Sequence, residues 1–86
     1  MNRTLEVSLT RAEGAIVRTL GVIERRGFIV NAVTTRNDPQ SESLVLQVEV
    51  TSRGRPFDVL LRQVLRLFDV RDALLLEAPV GQRLVC

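Results

Sequence analysis

Side chains able to act as nucleophiles, bases or metal ligands are scarce in this sequence. Its 86 residues include no histidine and a single cysteine, Cys86, at the last position. Neither Ser8 nor Cys86 has a base at a spacing that would draw off its proton, so nucleophilic catalysis lacks its second partner. One thiol without imidazoles builds neither an intramolecular disulfide nor a metal cluster. Carboxylates remain, but each has a simpler role. Glu13 follows Thr10 in the T-x-x-E spacing of a capping box, and Glu24, Asp58 and Asp72 fall on faces expected to be exposed. Intrinsic catalysis by this chain, with a cofactor or metal of its own, is therefore not expected.

The stretch T-R-A-E-G, Thr10 to Gly14, keeps a different chemistry open. The capping box predicts that a helix begins at Thr10, which puts Gly14 one turn inside it, where glycine costs about 1 kcal/mol relative to alanine. A glycine retained there marks either the close approach of a ligand or neighbouring chain, or crowded packing within the fold.

Composition bounds the rest. The length fits one domain, and a core this small is often completed by oligomerisation. Twelve arginines and no lysine face ten acids, for a net charge of +2. The arginines are spread along the chain and interleaved with the acids, the pattern of solvated faces rather than of a nucleic-acid footprint. No run approaches the roughly 20 apolar residues of a membrane span, and the N-terminus has no signal-like apolar core. A soluble, cytoplasmic protein is the default expectation.

The elements that must position the Thr10–Gly14 stretch follow from periodicity. Leu5, Val7 and Leu9 alternate with polar residues as in a half-buried strand. Ile16, Leu20 and Ile23, with Ala12, Ala15 and Val22 beside them, give the helix an apolar face, and Arg25, Arg26 and Gly27 supply its end. F-I-V-N-A-V-T-T-R, 28–36, reads as a second strand with Phe28, Val30 and Ala32 toward the core. After the turn N-D-P-Q-S-E, 37–42, a third strand carries Leu44, Leu46, Val48 and Val50 on one face. Pro56 opens a second helix with Phe57, Leu60, Leu61, Val64 and Phe68 on one side and an Asp58–Arg62 pair outside. A fourth strand spans 70–77.

This βαββαβ order predicts an α+β, ferredoxin-like sandwich: a four-stranded antiparallel sheet with two helices on one face. Residues 1–78 form the single domain and 79–86 a short tail. The fold hosts unrelated functions, and several lack their residues here. The central strands L-E-V-S-L and L-V-L-Q-V-E-V carry no aromatic residue for stacking RNA bases. The loop after the first strand has no soft ligand for a metallochaperone. Arg11 stands where an acylphosphatase-type hydrolase would need an arginine, but the glycine-rich phosphate turn is missing.

L-E-V-S-L-T-R-A-E-G-A-I-V-R-T-L-G-V-I-E-R-R-G-F-I-V-N-A-V resembles the opening of an ACT domain, and in particular of the small, regulatory subunit of acetohydroxyacid (acetolactate) synthase. Gly14, Arg18, Arg26, Gly27 and Phe28 occupy the places of that pattern. L-L-R-Q-V-L-R-L-F-D-V-R-D-A-L-L-L-E resembles the family's second helix and last strand, with Leu67, Asp69 and Val70 in its L-x-D-V segment. The resemblance spans about Thr4 to Glu77.

The resemblance implies a non-catalytic subunit of branched-chain amino-acid biosynthesis that binds and activates a catalytic large subunit. Thiamine diphosphate, FAD and magnesium would belong to that partner, and this chain would carry none. It also implies an effector loop or subunit contact at Arg11, Ala12, Glu13, Gly14, Ala15, Ile29, Val30 and Asn31, where free amides at the positive helix end suit the carboxylate of a possible amino-acid effector. Valine-sensitive relatives carry asparagines where this chain has Arg11 and Ile29. The likeness is therefore to the short small subunit of the valine-insensitive isozyme. Side-by-side pairing common among ACT domains implies a homodimer along the second strand, at Ile29, Asn31, Val33 and Thr35, which lacks the lysines that usually protect an edge. Exposed Arg18, Arg25, Arg62 and Arg66 are candidate contacts for the large subunit by position. Two other readings stay open: a free-standing amino-acid sensor with its ligand between two copies, and a dimerisation module without a ligand.

Overall fold

The computed structural model describes residues 2–40 and 42–76. Leu5, Val7 and Leu9 are fully buried along β1 (Asn2–Leu9), as their alternation requires. α1 (Ala15–Arg25) crosses to β2 (Phe28–Asp38), β3 (Ser43–Ser52) returns beside it, and α2 (Phe57–Leu65) crosses to β4 (Val70–Leu76). The strands lie in the order β2-β3-β1-β4, all neighbours antiparallel, which is the expected ferredoxin-like topology. The expected end of the fourth strand at Glu77 and the tail 79–86 lie outside the described residues.

One core joins the helices to the sheet. Leu5, Leu9, Ile23, Leu46, Val48, Val50, Leu60 and Val64 are each inaccessible to solvent. Phe28 and Phe57 meet beneath the helices with ring centroids 5.5 Å apart, an aromatic contact that ties the start of β2 to the start of α2. Thr19 is buried in the middle of α1, where its hydroxyl donates to the Ala15 carbonyl at 2.9 Å and so leaves no orphan polar group. Gly27 follows the helix with φ +91°, the left-handed C′ position for which glycine was expected.

Three expectations fail, each for a physical reason. α1 starts at Ala15, not Thr10, and no side chain caps it. Thr10 is instead drawn to the other half of the chain: its amide and hydroxyl donate to the Asp69 carbonyl at 2.9 and 3.4 Å. The T-x-x-E box is thus outcompeted by a tertiary bond.

In β2, Phe28 is buried and Val30 half-buried, but Ala32 is exposed. The register against β3 shifts between Val30 and Ala32, so the extra residue, Asn31, turns every later side chain to the opposite face. Phe68, expected on the apolar face of α2, is 98% exposed. The helix ends at Leu65, and tight bonds from the Arg66 and Leu67 amides to the carbonyls three residues back change the phase before Phe68 is reached.

Candidate functional site

Gly14 occupies the N-cap of α1 with φ 80°, a left-handed conformation that costs other residues about 1–2 kcal/mol. Its missing side chain leaves room for Arg18. A Cβ built on Gly14 would stand 2.8 Å from Arg18 Nη1. Of the two readings of this glycine, the contact seen is the crowding within the fold: the chain's own guanidinium folds back over the first helical turn.

Arg18 is held there from two sides. Its Nη2 donates to the Glu13 carbonyl at 2.9 Å, and its Nε donates to Asp69 Oδ2 at 2.6 Å. The Asp69 side chain is only 5% exposed, whereas that of Arg18 is 52% exposed. The hydrogen bond to Asp69, opposed by partial desolvation and aided by the carboxylate's charge, raises the Arg18 pKa above its ordinary value. Asp69 thus binds the β1–α1 loop twice, through its carboxylate to Arg18 and through its carbonyl to Thr10. Gly14 and Arg18 come from one motif of the sequence and Asp69 from another, and together they form a clamp between the start of α1 and the α2–β4 loop.

Beside this clamp lies an open cleft of ≈ 570 Å³, within the size range of small-ligand sites. The β1–α1 loop and the first turn of α1 form one wall, with Ile16 among its apolar residues, while Leu44 of β3 and Asn37 of β2 close the other side. No side chain caps the first turn of α1, at the positive end of the helix dipole, and of its amides that of Ala15 donates to the Ala12 carbonyl at 3.1 Å. Among the described residues no group of three or more His, Cys, Asp or Glu side chains could hold a metal ion. The arrangement offers apolar walls and main-chain donors, which suits recognition of a small anion-bearing molecule better than proton transfer.

Of the residues expected at the site, Arg11, Ala12, Glu13, Gly14 and Ala15 line the cleft. Ile29, Val30 and Asn31 do not. They lie where β2 leaves the far end of α1, with Ile29 opposite Thr51 and the Asn31 side chain donating to the Thr51 hydroxyl at 2.6 Å. The expected edge residues are also split by the bulge: Ile29 pairs with Thr51, on the face away from the helices, whereas Val33 pairs with Val48 and Thr35 with Leu46, on the helix face. Sequence reading missed Asn37 and Leu44 as lining residues, because only the register of the β2–β3 hairpin carries them to the loop. It singled out Arg18 and Asp69 without pairing them.

The comparisons with known proteins follow the geometry. The ACT-domain family model matches residues 11–73. Comparison with the curated proteins gives no match. Similar solved structures include the ACT domain from GTP pyrophosphokinase of Chlorobium tepidum, with a TM-score of 0.70 and 10% identity over 88% of this chain and 97% of that one. The C-terminal domain of the MgtC protein from Mycobacterium tuberculosis gives 0.71 and 10% over 92% of each. Formyltetrahydrofolate deformylase from Burkholderia mallei gives 0.67 and 18% over 87% of this chain, which spans only 27% of that enzyme. At these identities the likeness is one of fold. The match across the loop, the clamp, both helices, two whole strands and the start of the last establishes the family, and the chain belongs to the ACT domains.

Proposed function

We propose that this chain is the small, regulatory subunit of an acetolactate synthase, of the short valine-insensitive kind, and that it activates a catalytic large subunit carrying thiamine diphosphate, FAD and magnesium. ACT domains are regulatory modules, usually of small ligands and usually non-catalytic, which fits the lack of a nucleophile–base pair in the chain. The observation that carries the finer reading is the clamp. Gly14, Arg18 and Asp69 belong to the motifs that resemble this subunit, and in the fold they depend on one another. Activation would work by preferential binding to the competent arrangement of the large subunit, and a tenfold gain needs only about 1.4 kcal/mol of such preference.

A homodimer along β2 is part of the same reading. Val33 stands at the middle of Phe28–Asp38. If a two-fold axis passes there, antiparallel pairing sets Ile29 of one copy opposite Asn37 of the other, beside the cleft. Residues 29–31, which are remote from the cleft within one chain, would then approach it from the second copy. Ile29 offers no amide to hold an amino acid's polar groups, and Arg11 replaces the other asparagine, which supports the loss of valine control.

The open cleft favours a second reading, a free-standing amino-acid sensor with a cytoplasmic enzyme as its output. Acetolactate formation from pyruvate by the large subunit of the same organism, with and without this chain and with added valine, separates the two. Activation that valine leaves unchanged is expected. Failure to activate, together with thermal stabilisation by one amino acid of a panel, would replace the subunit reading with the sensor.

A further inference from the structure

Two arginines form ion pairs with described residues, and the exposed Arg11, Arg25, Arg36 and Arg66 do not. Arg18 is paired with Asp69, and Arg62 on α2 with Asp58 at 3.2 Å. At the opposite end of the fold from the cleft, Arg26, Arg53 and Arg55 are exposed, and none of them forms an ion pair within the described residues. Phe28 faces Ser52 across the sheet, which brings the turn after α1 beside the β3–α2 loop. A Cβ on Gly27 would lie 2.8 Å from Arg55 Nε, so the glycine lets Arg55 pack across that turn.

The loop that carries these cations is fixed in advance. The Ser52 hydroxyl accepts from the Arg55 amide at 2.9 Å and donates to the Arg55 carbonyl at 2.5 Å. Ordering before contact lowers the entropy that binding must offset. Of the acids in the adjoining segments, Asp58 is already engaged by Arg62, which leaves Glu24 at the end of α1. The helix dipole accounts for a cation at Arg26, but Arg53 and Arg55 lie on the loop and have no such reason to be there.

We propose that this end of the fold docks a carboxylate-rich protein segment, and, resting on the subunit reading, that the segment belongs to the catalytic large subunit. Guanidinium forks match carboxylates in bidentate pairs, and three of them on two adjoining turns provide a geometry as well as a charge. A small phosphate is a poorer occupant, since α1 presents its carbonyl end here. Single-stranded nucleic acid is poorer still, because Phe28 and Phe57 are buried and no aromatic ring is open to a base at this end.

The test is titration of the purified large subunit of the same organism with the wild-type chain, Arg53→Glu/Arg55→Glu, and Arg62→Glu/Arg66→Glu, at low and moderate salt. Both doubles change the net charge equally, and circular dichroism and thermal midpoints check their folding. The first double is expected to bind about 10- to 100-fold more weakly, chiefly through slower association, with a flatter salt dependence. The second removes the cations on and just after α2, the competing candidate contacts by position, and with docking at the loop end it should stay within about twofold of wild type. Arg53→Ala/Arg55→Ala gives an intermediate loss and stands in if charge reversal unfolds the loop. Full binding by the first double, or a larger loss in the second, overturns the docking surface alone. No binding by the wild-type chain overturns the subunit reading and this surface with it.

Discussion

The sheet has two edges, and they are built differently. β4 lies under α2, with Ala73 buried and Leu75 packed against the core. β2 receives α1 only over its first residues: Phe28 is buried and Val30 half-buried, and from Asn31 to Asn37 every residue is exposed. Both strands have a register shift against their neighbour, and in β2 it turns Ala32 to the outer face and leaves Val33 on the helix face beyond the residues that α1 covers. Val33 is left 41% and Ile29 38% exposed on an edge without lysine. Strand-forming residues without cover on a free edge are a pairing surface rather than a core, which is why the proposed dimer is assigned to β2.

This contrast can be broken most directly through stability. Leu60→Ala, on the buried face of the helix that covers β4, is expected to lower unfolding free energy by about 2–5 kcal/mol in urea titrations, whereas Val33→Ala should cost the monomer under about 0.5 kcal/mol. Equal losses at the two positions would show that β2 is covered after all. Gly14→Ala comes next, at about 1–2 kcal/mol from the left-handed backbone alone. It would also push Arg18 off Asp69, so amide exchange in residues 10–14 should rise more than in β2; uniform change along the chain would remove the clamp from the account. Val33→Lys should leave the thermal midpoint of the monomer unchanged and weaken self-association by about tenfold, or about 1.4 kcal/mol, in sedimentation equilibrium. An unaltered dimer would move the interface away from β2.

Much of the fold was legible because its signals are local. The alternation in β1 and β3, the apolar stripe of α1, the glycine after Arg26 and the Asp58–Arg62 pair are each set by a few neighbouring residues and are found as read, save that Ala12, expected on that stripe, is exposed ahead of the helix. The site was legible by half. Residues 11–15 could be named from the loop they form, but the cleft's other wall, Asn37 and Leu44, depends on a hairpin register that a bulge alters at Asn31. Nothing in F-I-V-N-A-V-T-T-R distinguishes a bulged strand from a regular one, since either conformation satisfies the same β-branched residues.

By itself the sequence determined the order of the elements, the face that each central strand buries, and the absence of a nucleophile with its base, because these depend on residue type and on spacings of two or four positions. Tertiary structure decided everything that joins distant segments. Thr10 gave up a helix cap for the Asp69 carbonyl, Gly14 made room for Arg18, and Gly27 made room for Arg55 across the turn after α1. A local preference is worth about 1 kcal/mol, and a tertiary hydrogen bond to a buried group is worth as much, so the choice between them falls to the packed chain.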